Sequence, residues 1–135
     1  MTRLGVFRLE GIWMFIINVN EKEAAEVTEP GAEKVKIRWL IHKGIGAQKF
    51  HLRHFIVEPG GRTPLHAHPA DHEVYILNGK GLVRGGEREV EVKPGDAIFI
   101  PENELHQFKN VGEEPLVFLC VKGEEPPIKK PLREL

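Results

Sequence analysis

Short runs of alternating apolar and polar residues fill most of this chain, each closed by Gly, Pro or charge. In Glu73-Val74-Tyr75-Ile76 and in Leu116-Val117-Phe118-Leu119-Cys120, residues two apart share one face of an extended backbone. Runs of this kind, repeated about every eight to twelve residues, mark an antiparallel sandwich or barrel. The pattern predicts strands over 35–41, 50–57, 73–77, 81–84, 88–92, 97–100, 106–110 and 116–121. The separators carry turn chemistry: Pro59-Gly60-Gly61, Asn78-Gly79, Gly85-Gly86, Pro94-Gly95-Asp96 and Gly112-Glu113. Only 21–26 has helical composition, and it is too short to hold a helix alone. Trp13-Met14-Phe15-Ile16-Ile17 reads as an extra edge strand, covering the barrel or pairing across a dimer. The tail from Glu124, with Pro126-Pro127 and Pro131, reads as irregular. The expected organisation is a single all-β domain: an extension and edge strand over 1–34, a barrel over 35–123 and a tail over 124–135.

Composition narrows the class of partner. The 135 residues are 41% hydrophobic and 29% charged, with net charge −1, so no basic surface calls for nucleic acid or membrane. The apolar run from Ile12 to Ile17 is far below the roughly 20 residues that span a bilayer. The single cysteine, Cys120, forms no internal disulfide, which suits a reducing compartment and gives a cytoplasmic expectation.

The candidate chemistry lies in the histidines. Three of seven fall in His66-Ala67-His68-Pro69-Ala70-Asp71-His72. On a strand His66 and His68 point the same way, and Pro69 then breaks the run so that the chain re-enters at His72. From there strand parity puts His72, Val74 and Ile76 inward and Glu73 and Tyr75 outward, while Glu73 keeps an alternative ligand spacing. Downstream, Gly95-Asp96 delivers a short strand that Pro101 ends, and His106 follows. Imidazoles converging in this way suit a divalent transition metal.

These segments resemble the two motifs of the cupin superfamily. Gly60 to Gly79 is similar to G-x5-H-x-H-x3,4-E-x6-G, and Gly95 to Asn110 to G-x5-P-x-G-x2-H-x3-N. The resemblance implies a double-stranded β-helix, a jelly-roll barrel with a metal in its mouth. Three departures stand out: His72 holds the position of the acidic ligand at the shorter spacing, Asn103 replaces a glycine, and the gap to Gly79 is one residue short. Asn visits the left-handed region more readily than most residues, so Asn103 is tolerable there. The pattern looks most like small single-domain cupins with a four-histidine manganese site, which implies His66, His68, His72 and His106 as ligands and a homodimer. Fe, Ni, Cu, Co and Zn also suit imidazole. The likeness begins near Met14, so residues 1–13 read as an upstream extension.

Strand parity and the resemblance together nominate Arg53, Phe118 and Cys120 to line the pocket, with Arg53 offering its guanidinium to an anion or peroxide. The competing reading sends Arg53 to solvent and leaves Phe118 and Cys120 as plain core. His42, His51 and His54 fall outside the motifs and read as surface or packing; Trp39 and Tyr75 read as barrel packing. The expected function is a metal-dependent oxygenase or dioxygenase acting on a small organic substrate with dioxygen or peroxide. The alternatives are a metal-dependent isomerase or epimerase, disfavoured because the inward residues offer no base, and a non-catalytic small-ligand binding protein.

Overall fold

The computed structural model describes residues 6–9 and 12–124. Strands β1 (Val6–Leu9) and β2 (Ile12–Phe15) pair with each other as a separate two-stranded sheet. The edge strand expected near Trp13 therefore pairs locally with β1. A nine-stranded antiparallel sheet makes up the rest: β3 (Ala25–Glu26), β4 (Glu33–Ile41), β5 (Phe50–Arg62), β6 (His72–Asn78), β7 (Gly81–Gly85), β8 (Arg88–Val92), β9 (Ala97–Ile100), β10 (His106–Asn110) and β11 (Leu116–Gly123).

All eight expected strands are present, three with the expected bounds, and the sheet curls into an all-β jelly-roll barrel. Its neighbours run β8-β7-β10-β5-β11-β6-β9, with β4 on β5 and β3 on β4. The longest strand, β5, pairs with both β4 and β11, which joins the two halves of the fold.

Where the chain departs from expectation, local chemistry explains it. The 21–26 segment holds no helix: a 3-10 turn, Val19–Glu21, ends at its first residue, and its last two form β3, whose Ala25 and Glu26 pair with Ile37 and Lys36. One turn cannot repay its nucleation cost, and the ladder on β4 offers the backbone bonds instead. At the β7–β8 hairpin the turn is Gly86-Glu87 rather than Gly85-Gly86: Gly85 pairs with Arg88, and Gly86 takes φ 57°. The tail beyond Glu124 lies outside the described residues.

The core is built from the inward face of these strands: Val57 on β5, Val74 and Ile76 on β6, Leu116, Phe118 and Cys120 on β11, and Phe108 on β10. Alternation along β6 and β11 sets this face, as parity required. Asn110 locks the turn between β10 and β11: its amide donates to the Val57 and Glu114 carbonyls at 2.8 Å, and its Oδ1 accepts from Gly112 N–H.

Candidate metal centre

His66 and His68 lie on the extended segment between β5 and β6, not on a regular strand as expected. Pro64 and Pro69 flank them, and a proline has no N–H for a ladder. One bridge survives. His66 N–H donates to the His106 carbonyl at 3.2 Å and His106 N–H returns the bond at 3.0 Å, which sets the two residues opposite each other. His68 is tied at its carbonyl by the Asn103 N–H at 2.7 Å. Asn103 stands at φ 64°, where a glycine would be at home and Asn is the tolerated substitute. The departure from the glycine pattern thus leaves the turn before His106 intact.

The rings converge. Centroids of His66 and His68 are 4.6 Å apart, both lie 5.0 Å from that of His106, and His72 stacks on His68 at 4.2 Å. Donor atoms of His66, His68 and His106 all fall within 4.8 Å of one another, the spread one ion can gather; His72 stands outside this set of three. His72 points inward and is 4% exposed, while Glu73 points out to solvent. Strand parity thus turns His72 inward and Glu73 outward, as expected from the sequence.

Do these residues fit a metal? Burial, then the nearby Arg53, drive the His72 imidazole down to about 2, and burial with His66 and His106 takes His68 to about 4. His106 is lowered as well, chiefly by burial. All three rings are thus neutral at ordinary pH and keep a lone pair to share. His72 Nε2 is buried with no hydrogen-bond partner, a costly arrangement that an ion would relieve, whereas the His68 ring has a backbone contact at Ala70. The outer nitrogens of the other two are held: His106 Nδ1 donates to the Glu104 carbonyl at 2.8 Å, and His66 Nδ1 lies 3.1 Å from Glu29 Oε1. Each such bond turns Nε2 inward as the acceptor, the arrangement usual for metal-binding histidines. The donor set fits a divalent transition metal.

Beside the histidines lies a cavity of about 250 Å³. Arg53, Phe118 and Cys120, the sequence candidates, all line it. Arg53 is only 9% exposed, so it does not reach solvent: its guanidinium lies 5.4 Å over the Trp39 ring and 5.0 Å over Phe55, and Nη2 donates to Cys120 Sγ at 3.0 Å. Its Nε is buried without a hydrogen-bond partner. Burial raises the Cys120 thiol, against a smaller lowering by Arg53, so the group stays protonated. Phe118 serves both readings: it is 2% exposed core, stacked on Phe55 and Phe108 at 5.1 and 4.6 Å, and it faces the cavity.

Two residues need correction. Trp39 is a cavity wall, 38% exposed, rather than barrel packing, and Tyr75 is 48% exposed on the outer face. One functional candidate was missed. Glu29 also lines the cavity and brings a carboxylate to it, where the sequence pattern offered no base. Its position precedes the first long strand, and no strand parity reached it. His51 and His54 are buried at 8% exposure, consistent with packing.

The comparisons with known proteins agree with this geometry. A protein of Methanocaldococcus jannaschii, MJ1618, is 42% identical over 86 residues, covering 62% of this chain and 69% of that protein. The 1-methylthio-D-xylulose 5-phosphate methylsulfurylase of Rhodospirillum rubrum is 40% identical over 74 residues, 55% of this chain but only 47% of the enzyme. Among solved structures, the polyketide cyclase RemF of Streptomyces resistomycificus superposes with a TM-score of 0.78 at 38% identity, covering 87% of this chain and 84% of that one. No helix among the described residues is long and apolar enough to cross a membrane. The family model for the cupin domain matches residues 53–122, which takes in all four histidines, and the chain belongs to the cupin family.

Proposed function

We propose that this cupin is a metal-dependent enzyme acting on a small anionic substrate that binds through oxygen, with His66, His68, His72 and His106 holding one divalent ion. One observation carries the reading: a carboxylate, Glu29, and a buried guanidinium, Arg53, line the same cavity as three of the histidines. Manganese is the expected ion, on the resemblance to four-histidine cupins. An ion so held supplies Lewis-acid polarisation of a carbonyl or carboxylate oxygen. Four neutral ligands leave its charge uncompensated, which favours an anion.

The chain's own residues do the rest. Arg53 draws in the substrate anion, and its unpartnered Nε is a donor ready for an oxygen. Trp39 and Phe55 keep the guanidinium in place. Phe55, Phe108 and Phe118 keep the inner wall dry and strengthen every charge interaction inside it. Glu29 holds His66 with one oxygen; a carboxylate has a second, which takes a proton from the carbon beside the polarised group and returns it elsewhere. The reaction class is proton transfer next to a carbonyl, as in isomerisation or cyclisation. Glu29 reverses the order of the sequence expectation, which placed oxygenase chemistry first for want of a base.

The test is solvent exchange. Manganese-loaded protein, incubated in D2O with a panel of 2-keto acids and their phosphate esters, is expected to label the carbon next to the carbonyl of at least one. E29Q is expected to abolish that label. Oxygen uptake with no exchange would overturn the proposal. It would support the second reading, a metal-dependent oxygenase using dioxygen or peroxide, which two observations favour: the cavity's inner wall is aromatic and the ligand set carries no carboxylate. Saturable binding with neither outcome would support a non-catalytic binding protein.

A further inference from the structure

Past Trp39 lies a second cleft of about 420 Å³, lined by His42, Lys43, His51, Lys122 and Glu124 among others. The proposed function makes no use of it. Its position follows from register. Lys122 on β11 pairs with His51 on β5 and with His72 on β6, and residues opposite each other in a ladder point to the same side. His51 therefore sits in the same row as His72, two strand spacings away, about 10 Å.

Four of those five side chains are basic or imidazole, and the remaining one, Glu124, is instructive. Its carboxylate is bonded to Lys43 Nζ and lies 3.7 Å from His51 Nε2, beyond hydrogen-bonding distance. His51 is 8% exposed, lines the cleft, and its Nε2 is buried with no hydrogen-bond partner. A buried ring nitrogen aimed into a polar cleft is a costly feature unless something binds there. A metal is not that something: among the described residues, the histidines of this cleft gather with Glu124 into no set of donors close enough for an ion. His42 is also engaged, because its Nδ1 accepts the Gly44 N–H at 3.0 Å. Two lysines and the His51 imidazole stand around an internal carboxylate, and that carboxylate marks the place an oxyanion would take.

We propose that this cleft binds a phosphate-class oxyanion, held by Lys43, His51 and Lys122 in place of Glu124. Resting on the reading of the metal centre, the anion is the phosphate of a monoester whose other end lies at the histidines. Trp39 lines both cavities and is the wall along which such a molecule lies.

Inorganic phosphate and methyl phosphate, titrated into metal-free protein by calorimetry and by 1H–15N NMR, test the site apart from any metal or turnover. Both are expected to bind and to shift the signals of His51, Gly123 and Trp39. K122M and H51Q are each expected to weaken binding at least fivefold, with R53M changing it less than twofold. E124Q removes the internal competitor at an exposed position that does not threaten the fold, and is expected to tighten binding at least threefold. Unchanged or weaker binding in E124Q, or loss in R53M without loss in K122M, would overturn the proposal. Binding of inorganic phosphate alone, with methyl phosphate excluded, would overturn the ester and leave a free-phosphate site.

Discussion

Removing the charge of Glu29 tests how far the metal centre depends on residues beyond its ligands. Glu29 Oε1 lies 3.1 Å from His66 Nδ1, and that contact determines which ring nitrogen faces the other histidines. Without it, His66 is free to present the wrong tautomer and loses basicity at Nε2. Loss of such a partner lowers metal affinity about 10- to 100-fold, equivalent to about 1.4–2.7 kcal/mol. E29Q keeps an acceptor oxygen but no charge and belongs at the lower end; E29A keeps neither and belongs at the upper. Fold stability is a poor reporter, since the Glu29 side chain is 52% exposed and the His66 side chain 31%. Such a pair contributes no more than about 1 kcal/mol to folding. The assay is competition for Mn(II) against a fluorescent chelator, with melting curves of the metal-free variants as control. Affinities of both variants within twofold of the parent would refute the reasoning.

Four further outcomes follow from the same geometry. F118A removes a 2% exposed ring stacked on Phe55 and Phe108, and is expected to cost about 3–5 kcal/mol in urea unfolding; a loss below 1 kcal/mol would mean the ring is not core. Metal-free protein is expected to lose stability as pH falls below about 6.5: unfolded His68 and His72 take up protons there, while the folded rings, held at about 4 and about 2, do not. Urea midpoints compared between pH 7.5 and 5.5 check the sign, and H72Q should flatten the slope. N103G is expected to keep or raise the melting temperature and N103A to lower it by the equivalent of about 1 kcal/mol, because position 103 sits at φ 64°. R53M is expected to weaken oxalate binding to manganese-loaded protein at least tenfold, with R53K intermediate; equal affinity in all three would remove Arg53 from the anion site.

Period-two alternation made the barrel legible, because β6 and β11 each bury one face and a one-residue slip would expose it. The same parity gave His72 its inward direction. It failed where the backbone leaves the ladder. His66 and His68 lie on an irregular stretch between prolines, where a ring's direction is set by the His66–His106 bridge and the Asn103 bond rather than by the chain's own pleat. Glu29 was illegible for a related reason: it reaches the cavity from a turn before β4, and its partner is 37 residues away in sequence. Arg53 could be placed on the cavity face from the sequence, but its sandwich between Trp39 and Phe55 depends on the pairing of β4 with β5, which no local pattern encodes. The lysine and histidine cleft was missed likewise, because the pairing of β5 with β11 and the turn after β4 assemble it.

The central claim is that His72 completes a four-imidazole metal site. Crystals of manganese-loaded protein, with anomalous scattering measured across the metal edge, test it most directly. The account predicts one ion per chain, bonded to His66, His68, His72 and His106, with His72 bound through the Nε2 that is now buried without a partner. An ion held by three histidines with His72 turned away, or no ordered ion at all, would contradict it.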